Sequence, residues 1–177
     1  MRILGVDPGL STAGIGLIET GRHPSDVHAL DWMTITTPSA LPLPDRLLEL
    51  ANDLDAYLAE AKPDLAVVEQ LFFSTNKRTA MDVSQARGVI LVTLRKRGIE
   101  VMSATPLQLK TAITGDGQAD KKQMQAMVKR ILKLDTLPTP ADAADALALA
   151  LYGAHHGAFH ATVTLPSRTS HVRRPVT

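Results

Sequence analysis

Four carboxylates stand where the chain is otherwise apolar, and the chemistry open to such a set is that of hard divalent cations, which choose oxygen ligands. Asp7 ends the run Ile3-Leu4-Gly5-Val6, and Glu69 ends Leu65-Ala66-Val67-Val68. Asp142 and Asp145 lie in Ala141-Asp142-Ala143-Ala144-Asp145-Ala146-Leu147. An ionised acid in an apolar setting is costly unless it is paired, hydrogen-bonded or bound to metal. No Lys or Arg stands within four residues of Glu69, Asp142 or Asp145, so no counter-charge is supplied locally.

Each acid has an ordinary explanation to be weighed. Asp7 in Asp-Pro-Gly suits a turn capped by its own side chain. Thr139-Pro140-Ala141-Asp142 fits a helix start, with a Thr cap, Pro at the first position and an acid three residues on. Glu69 has only the weaker excuse of leaning into solvent, since Glu is disfavoured in strands. Asp145 follows Asp142 by one helical turn on the same face, where two like charges repel unless something positive lies between them. The other candidates are ordinary. The six histidines lack zinc-ligand spacing, no serine carries a nucleophile motif, and Gly9, Gly14 and Gly16 match no phosphate-loop pattern.

Basic and aromatic residues near the polar turns suggest a partner for the acids' side of the molecule. Lys77, Arg78 and Arg87 follow Glu69, while Lys110, Lys121 and Lys122 flank Thr114-Gly115-Asp116-Gly117-Gln118-Ala119-Asp120. Collected on one side they would neutralise a polyanion, although any one alone is most simply a solvated cation. Phe72 and Phe73, two of three phenylalanines, follow Glu69 directly. Core packing accounts for them if they are buried; beside basic residues in a loop they would stack on an unpaired base.

The elements that must position these groups can be read from periodicity. Residues 3–7 predict a buried strand stopped by Pro8-Gly9, residues 12–19 a second strand whose glycines mark a bend or a close approach, and residues 27–36 a third, together an antiparallel meander. Residues 38–44 connect to a helix from Asp45 that Pro63 ends. Leu65–Glu69 reads as a buried strand, Thr79–Arg97 as a helix stopped by Gly98, and Ile99–Met102 as a further strand. Helices follow at Pro106–Thr114, Lys121–Leu134 and Pro140 to about His155. The expected fold is α/β, a mixed sheet with helices on both faces. Residues 1–156 form one domain in this reading, and 157–177, rich in Pro, Ser, Thr, Arg and His, a disordered tail.

Bulk properties narrow the class. A chain of 177 residues suits a single core. No apolar run is long enough to span a bilayer, the start does not resemble a signal peptide, and there is no cysteine, so a cytoplasmic protein with no membrane partner is expected. Net charge is only +1, so a nucleic-acid footprint must be local.

Gly5-Val6-Asp7-Pro8-Gly9-Leu10, Val68-Glu69-Gln70-Leu71-Phe72, Gln85-Ala86-Arg87-Gly88 and Ala141-Asp142-Ala143-Ala144-Asp145-Ala146-Leu147-Ala148, in that order and with those gaps, resemble the RuvC family of bacterial Holliday junction resolvases. The resemblance runs from residue 1 to about 156. It implies a ribonuclease-H-like sheet, a homodimer, and magnesium-dependent nicking of two opposed strands of four-way junction DNA, with RuvA and RuvB branch-migration proteins as partners. Asp7, Glu69, Asp142 and Asp145 match the family's metal-binding acids. Lys110 and Lys121 match its functionally important lysines, and Phe72 its base-stacking phenylalanine. Phe73, Lys77, Arg78, Arg87 and Lys122 are further candidates for DNA contact. Some relatives carry a histidine where Asp142 stands, and the tail from Gly157 departs from shorter members.

The implied chemistry is two-metal phosphodiester hydrolysis, with two Mg2+ per site and Mn2+ as an alternative. Asp7 would bridge the ions and the other acids complete their shells, with Lys121 or Lys110 holding phosphate oxygens. Three rival readings remain: a junction-binding module without catalysis, an actin-like ATPase relative sharing the Asp-Pro-Gly strand end, and a general ribonuclease H. Four acids argue against the first, and the length against the second, which needs a duplicated domain.

Overall fold

Alternation along the first strand decides where its acid points. In β1 (Arg2–Asp7), Ile3 packs into one core cluster and Leu4 and Val6 into another on the opposite face, as the two-residue period of a strand requires. Asp7 therefore shares the face of Ile3. Strand β4 (Leu65–Glu69) repeats the pattern: Leu65 and Val67 join Ile3, Ala66 and Val68 face the other way, and Glu69 falls on the side of Asp7. The two strands run parallel with Val6 opposite Val68, so one step further the acids end neighbouring strands side by side.

The computed structural model describes residues 1–23, 26–70 and 77–156, the side chains from residue 80 onward in the last stretch. The five strands lie in the order β3-β2-β1-β4-β5. Strands β2 (Thr12–Thr20) and β3 (Val27–Thr36) complete the expected antiparallel meander with β1, and β5 (Glu100–Ala104) pairs parallel with β4. Helices α1 (Leu43–Ala61) and α2 (Lys77–Lys96) cover the Leu4–Val6 face through Leu50, Leu54, Leu58, Ala86, Ile90 and Leu94. Helices α3 (Pro106–Thr114), α4 (Lys121–Ile131) and α5 (Ala141–His156) cover the face of the acids. Apart from Asp145, every α5 residue from Ala143 to Gly153 is buried, the mark of a central helix. None of the helices described is long and apolar enough to cross a membrane.

Element ends differ from expectation for local reasons. Helix α1 begins at Leu43 and takes Pro44 into its first turn, where a missing N–H costs nothing. Strand β5 runs on to Ala104 because Glu69 pairs with it. Helix α4 stops at Ile131, and the chain leaves through Lys133 at φ 53°. The start of α5 is a correction to the expected Thr139 cap: the Pro140 carbonyl accepts from the Ala143 and Ala144 N–H groups at 3.1 and 3.2 Å, which places the cap at Pro140. Residues 157–177, expected to be a tail, lie outside the described residues.

Candidate metal centre

Helix α5 sits on the sheet backbone to backbone. A Cβ at Gly5 would overlap the Ala146 carbonyl oxygen, one at Gly14 the Asp142 carbonyl oxygen, and one at Gly16 the amide of Leu147. Close approach is thus what the glycines of β2 provide. The β1–β2 register pairs Asp7 with Gly14, so the residue that lets Asp142 settle is the cross-strand neighbour of Asp7. Asp145, one turn along α5, comes down beside them.

One carboxylate oxygen from each of Asp7, Asp142 and Asp145 lies within 4.8 Å of the others. Glu69 joins the group through a hydrogen bond between its side chain and that of Asp7. All four side chains are half-buried. Burial, then the charges of Glu69, Asp145 and Asp142, push the Asp7 carboxyl up to about 8. Glu69 is raised as well, by burial and then by Asp145, while its bond to Asp7 and the charge of Lys121 act the other way. These are the signs of like charges held together by the fold, relieved by a proton or by a cation. An all-oxygen donor set that is partly desolvated and short of positive charge fits a hard divalent cation.

One counter-charge does reach the cluster, and local sequence did not reveal it. Lys121, the first residue of α4, places Nζ 2.9 Å from Asp145 Oδ2, and the bond raises the lysine above its ordinary range. The Asp120 capping box, in which Asp120 accepts from the Gln123 N–H and Gln123 accepts from the Asp120 N–H, fixes that helix start. Lys122 follows, exposed. Lys110 lies on α3 and pairs with none of the acids.

Arg87 on α2 is engaged with the strand ends: Nε donates to the Glu69 carbonyl and Nη2 to Ser103 Oγ, each at 2.9 Å. Lys77 and Arg78 open α2. Phe72 and Phe73, expected as stacking residues, lie outside the described residues, as do the side chains of Lys77 and Arg78. Ser103 and the seat glycines had no sequence signal for a role here beyond the glycines' hint of close approach.

A mixed 3-2-1-4-5 sheet with helices on both faces, and acids gathered at the carboxyl ends of the neighbouring strands β1 and β4, defines a ribonuclease-H-like protein of the resolvase type. Residues 3–153 match the family model described as crossover junction endodeoxyribonuclease RuvC. A RuvC crossover junction endodeoxyribonuclease of Syntrophomonas wolfei is 49% identical over 157 residues, 88% of this chain and 89% of the relative. The solved Thermus thermophilus RuvC superposes with a TM-score of 0.83 at 30% identity, covering 90% of this chain and 97% of that one. The same Thermus protein in complex with Holliday junction substrate gives 0.83 and 30%, over 90% and 96%. The chain belongs to the RuvC family of crossover junction endodeoxyribonucleases, the Holliday junction resolvases.

Proposed function

We propose that the chain cuts four-way junction DNA by paired symmetric nicks on opposed strands, in recombination and repair, with Asp7, Glu69, Asp142 and Asp145 holding two Mg2+ ions per site, or Mn2+ in their place. The observation that carries this reading is the meeting of three aspartates within 4.8 Å at a strand end, in a chain of this family. Bound divalent cations supply an activated water and a sink for the charge on the departing 3′ oxygen. The chain's own work is to gather the acids, keep them partly dry, and present cations around them. Lys121 is close enough to the cluster to trade Asp145 for a phosphate oxygen, and Lys110 offers a second point charge. Phe72, with Phe73, is placed by sequence to stack on a base at the junction, and Lys77, Arg78 and Lys122 to meet phosphates. The products are a 5′-phosphate and a 3′-hydroxyl.

Two opposed cuts call for two sites, and a twofold dimer matches the symmetry of the junction. The apolar groove between α1 and α2, about 510 Å³ and bordered by Leu48 and Val92, is the face assigned to the second copy. Leu48 and Val92 are 59% and 55% exposed in the single chain, more apolar surface than a solvated helix pair needs. Residues 1–156 are the nuclease domain in this reading, acting in the cytoplasm with RuvA and RuvB as partners.

The deciding experiment incubates the protein with a mobile synthetic four-way junction, with and without divalent cation, and maps cuts on all strands. Paired symmetric nicks with cation, and binding without nicking in its absence, are expected. Preferential cutting of an RNA–DNA hybrid would instead support a general ribonuclease H.

A further inference from the structure

We propose that Arg87 is a positioning residue for Glu69, supplying the bond that Pro8 withholds from the sheet; the inference rests on the metal-site reading of the four acids. The Gln70 N–H donates to the Ala104 carbonyl at 2.8 Å, and Glu69 pairs with Ala104. In a parallel ladder this turns the N–H and C=O of Glu69 away from β5 and toward β1. With Val6 opposite Val68, the donor due to meet the Glu69 carbonyl is the amide of residue 8. Residue 8 is proline, which has no N–H.

The strand end that carries a cluster acid is therefore one bond short. Arg87 Nε donates to that carbonyl at 2.9 Å, and Nη2 ties the same guanidinium to Ser103 Oγ on β5. Ser103 alternates with Met102 and Ala104, which face α5, so it lies on the α1–α2 side of the sheet. Arg87 comes from that side as well, whereas the Glu69 carboxylate belongs to the other. Arg87 thus grips the backbone of Glu69 from behind, without touching the acids. Two divergent donors are needed, and only a guanidinium provides them in a fixed fork.

Groups that orient metal ligands typically govern metal affinity by about 10–100-fold. The test titrates Mn2+ and Mg2+ into the full chain without DNA, by calorimetry, for wild type, Arg87→Gln, Arg87→Lys, Ser103→Ala and Asp7→Asn. Junction affinity without divalent cation is measured alongside. Arg87→Gln is expected to weaken cation binding about 10-fold or more, Arg87→Lys to recover part of the loss, and Ser103→Ala to lose less, with junction affinity unchanged in all three. Cation affinity equal to wild type in Arg87→Gln overturns the inference, as does a loss confined to junction affinity, which would assign Arg87 to DNA phosphate. If Arg87→Gln fails to fold, Arg87→Lys and Ser103→Ala decide on the same criterion. A wild-type cation signal that survives Asp7→Asn sinks the metal-site reading and this inference with it; an unchanged Arg87→Gln sinks the inference alone.

Discussion

Lys121 Nζ lies 2.9 Å from Asp145 Oδ2, so the first turn of α4 lends its charge to the outer acid of α5. The side chains are 54% and 32% exposed, and a pair so open to solvent contributes about 0.2–1 kcal/mol to stability. In the proposed reaction its value would be larger, because a positioned donor at a developing charge is typically worth about 10²–10³ in rate. Lys121→Met should melt close to wild type yet nick junctions about 10²-fold more slowly under single-turnover conditions. A variant that cuts at the wild-type rate would remove Lys121 from the reaction.

Asp7→Asn should abolish nicking while leaving junction affinity near wild type. It also carries a pH signature. The folded chain holds the Asp7 proton up to about pH 8, against 3.8 for an unperturbed carboxyl. Stability from this group is complete below the lower value and is lost as pH rises through the upper one. Without divalent cation, the wild-type Tm should therefore decline from pH 5 to 9 more steeply than that of Asp7→Asn. Parallel melting profiles would contradict the crowding of charge described at the cluster.

Gly14→Ala would drive a methyl group into the Asp142 carbonyl. Neither side can yield cheaply, because both are backbone, and a forced shift of that kind costs about 3 kcal/mol or more. The expected loss in Tm is about 6–12 °C for a domain of this size. Nicking should suffer further, at temperatures where the variant is folded, because the start of α5 is pushed away from Asp7. Calorimetric melting beside a cleavage time course separates the two effects.

Val92→Asp places a charge on the groove between α1 and α2. Val92 is 55% exposed in the single chain, so the protomer should keep its fold. Sedimentation at micromolar concentration should show wild type as a dimer and the variant as a monomer. A wild type that sediments as a monomer would count against the face chosen here.

Much of this was legible from period and composition. The apolar runs ending in Asp7 and Glu69 marked strand ends, and the three-residue gap between Asp142 and Asp145 marked one helix face. The meander, the later strands and all five helices appear where periodicity put them, within a few residues. What stayed hidden depends on contacts far apart in sequence. Lys121 is 24 positions from Asp145, and only the packing of α4 against α5 reveals their bond. Arg87 read as a candidate phosphate contact because its tie to the Glu69 carbonyl exists only once α2 lies across the ends of β4 and β5. The helix start at Pro140 escaped for a smaller reason: a Thr-Pro pair looks like a cap whichever residue's carbonyl accepts the first bonds.

The seating of α5 has a consequence for how the protein fails. No side chain stands between the helix backbone and the strands beneath Asp142, so no rotamer can flex to let the acids drift apart. Amides along α5 should exchange with deuterium only through global opening, as those of the most protected core do. Loss of cutting on heating should then coincide with the unfolding transition rather than precede it. On this expectation, no half-melted state should be found in which the chain is folded and the acids are scattered.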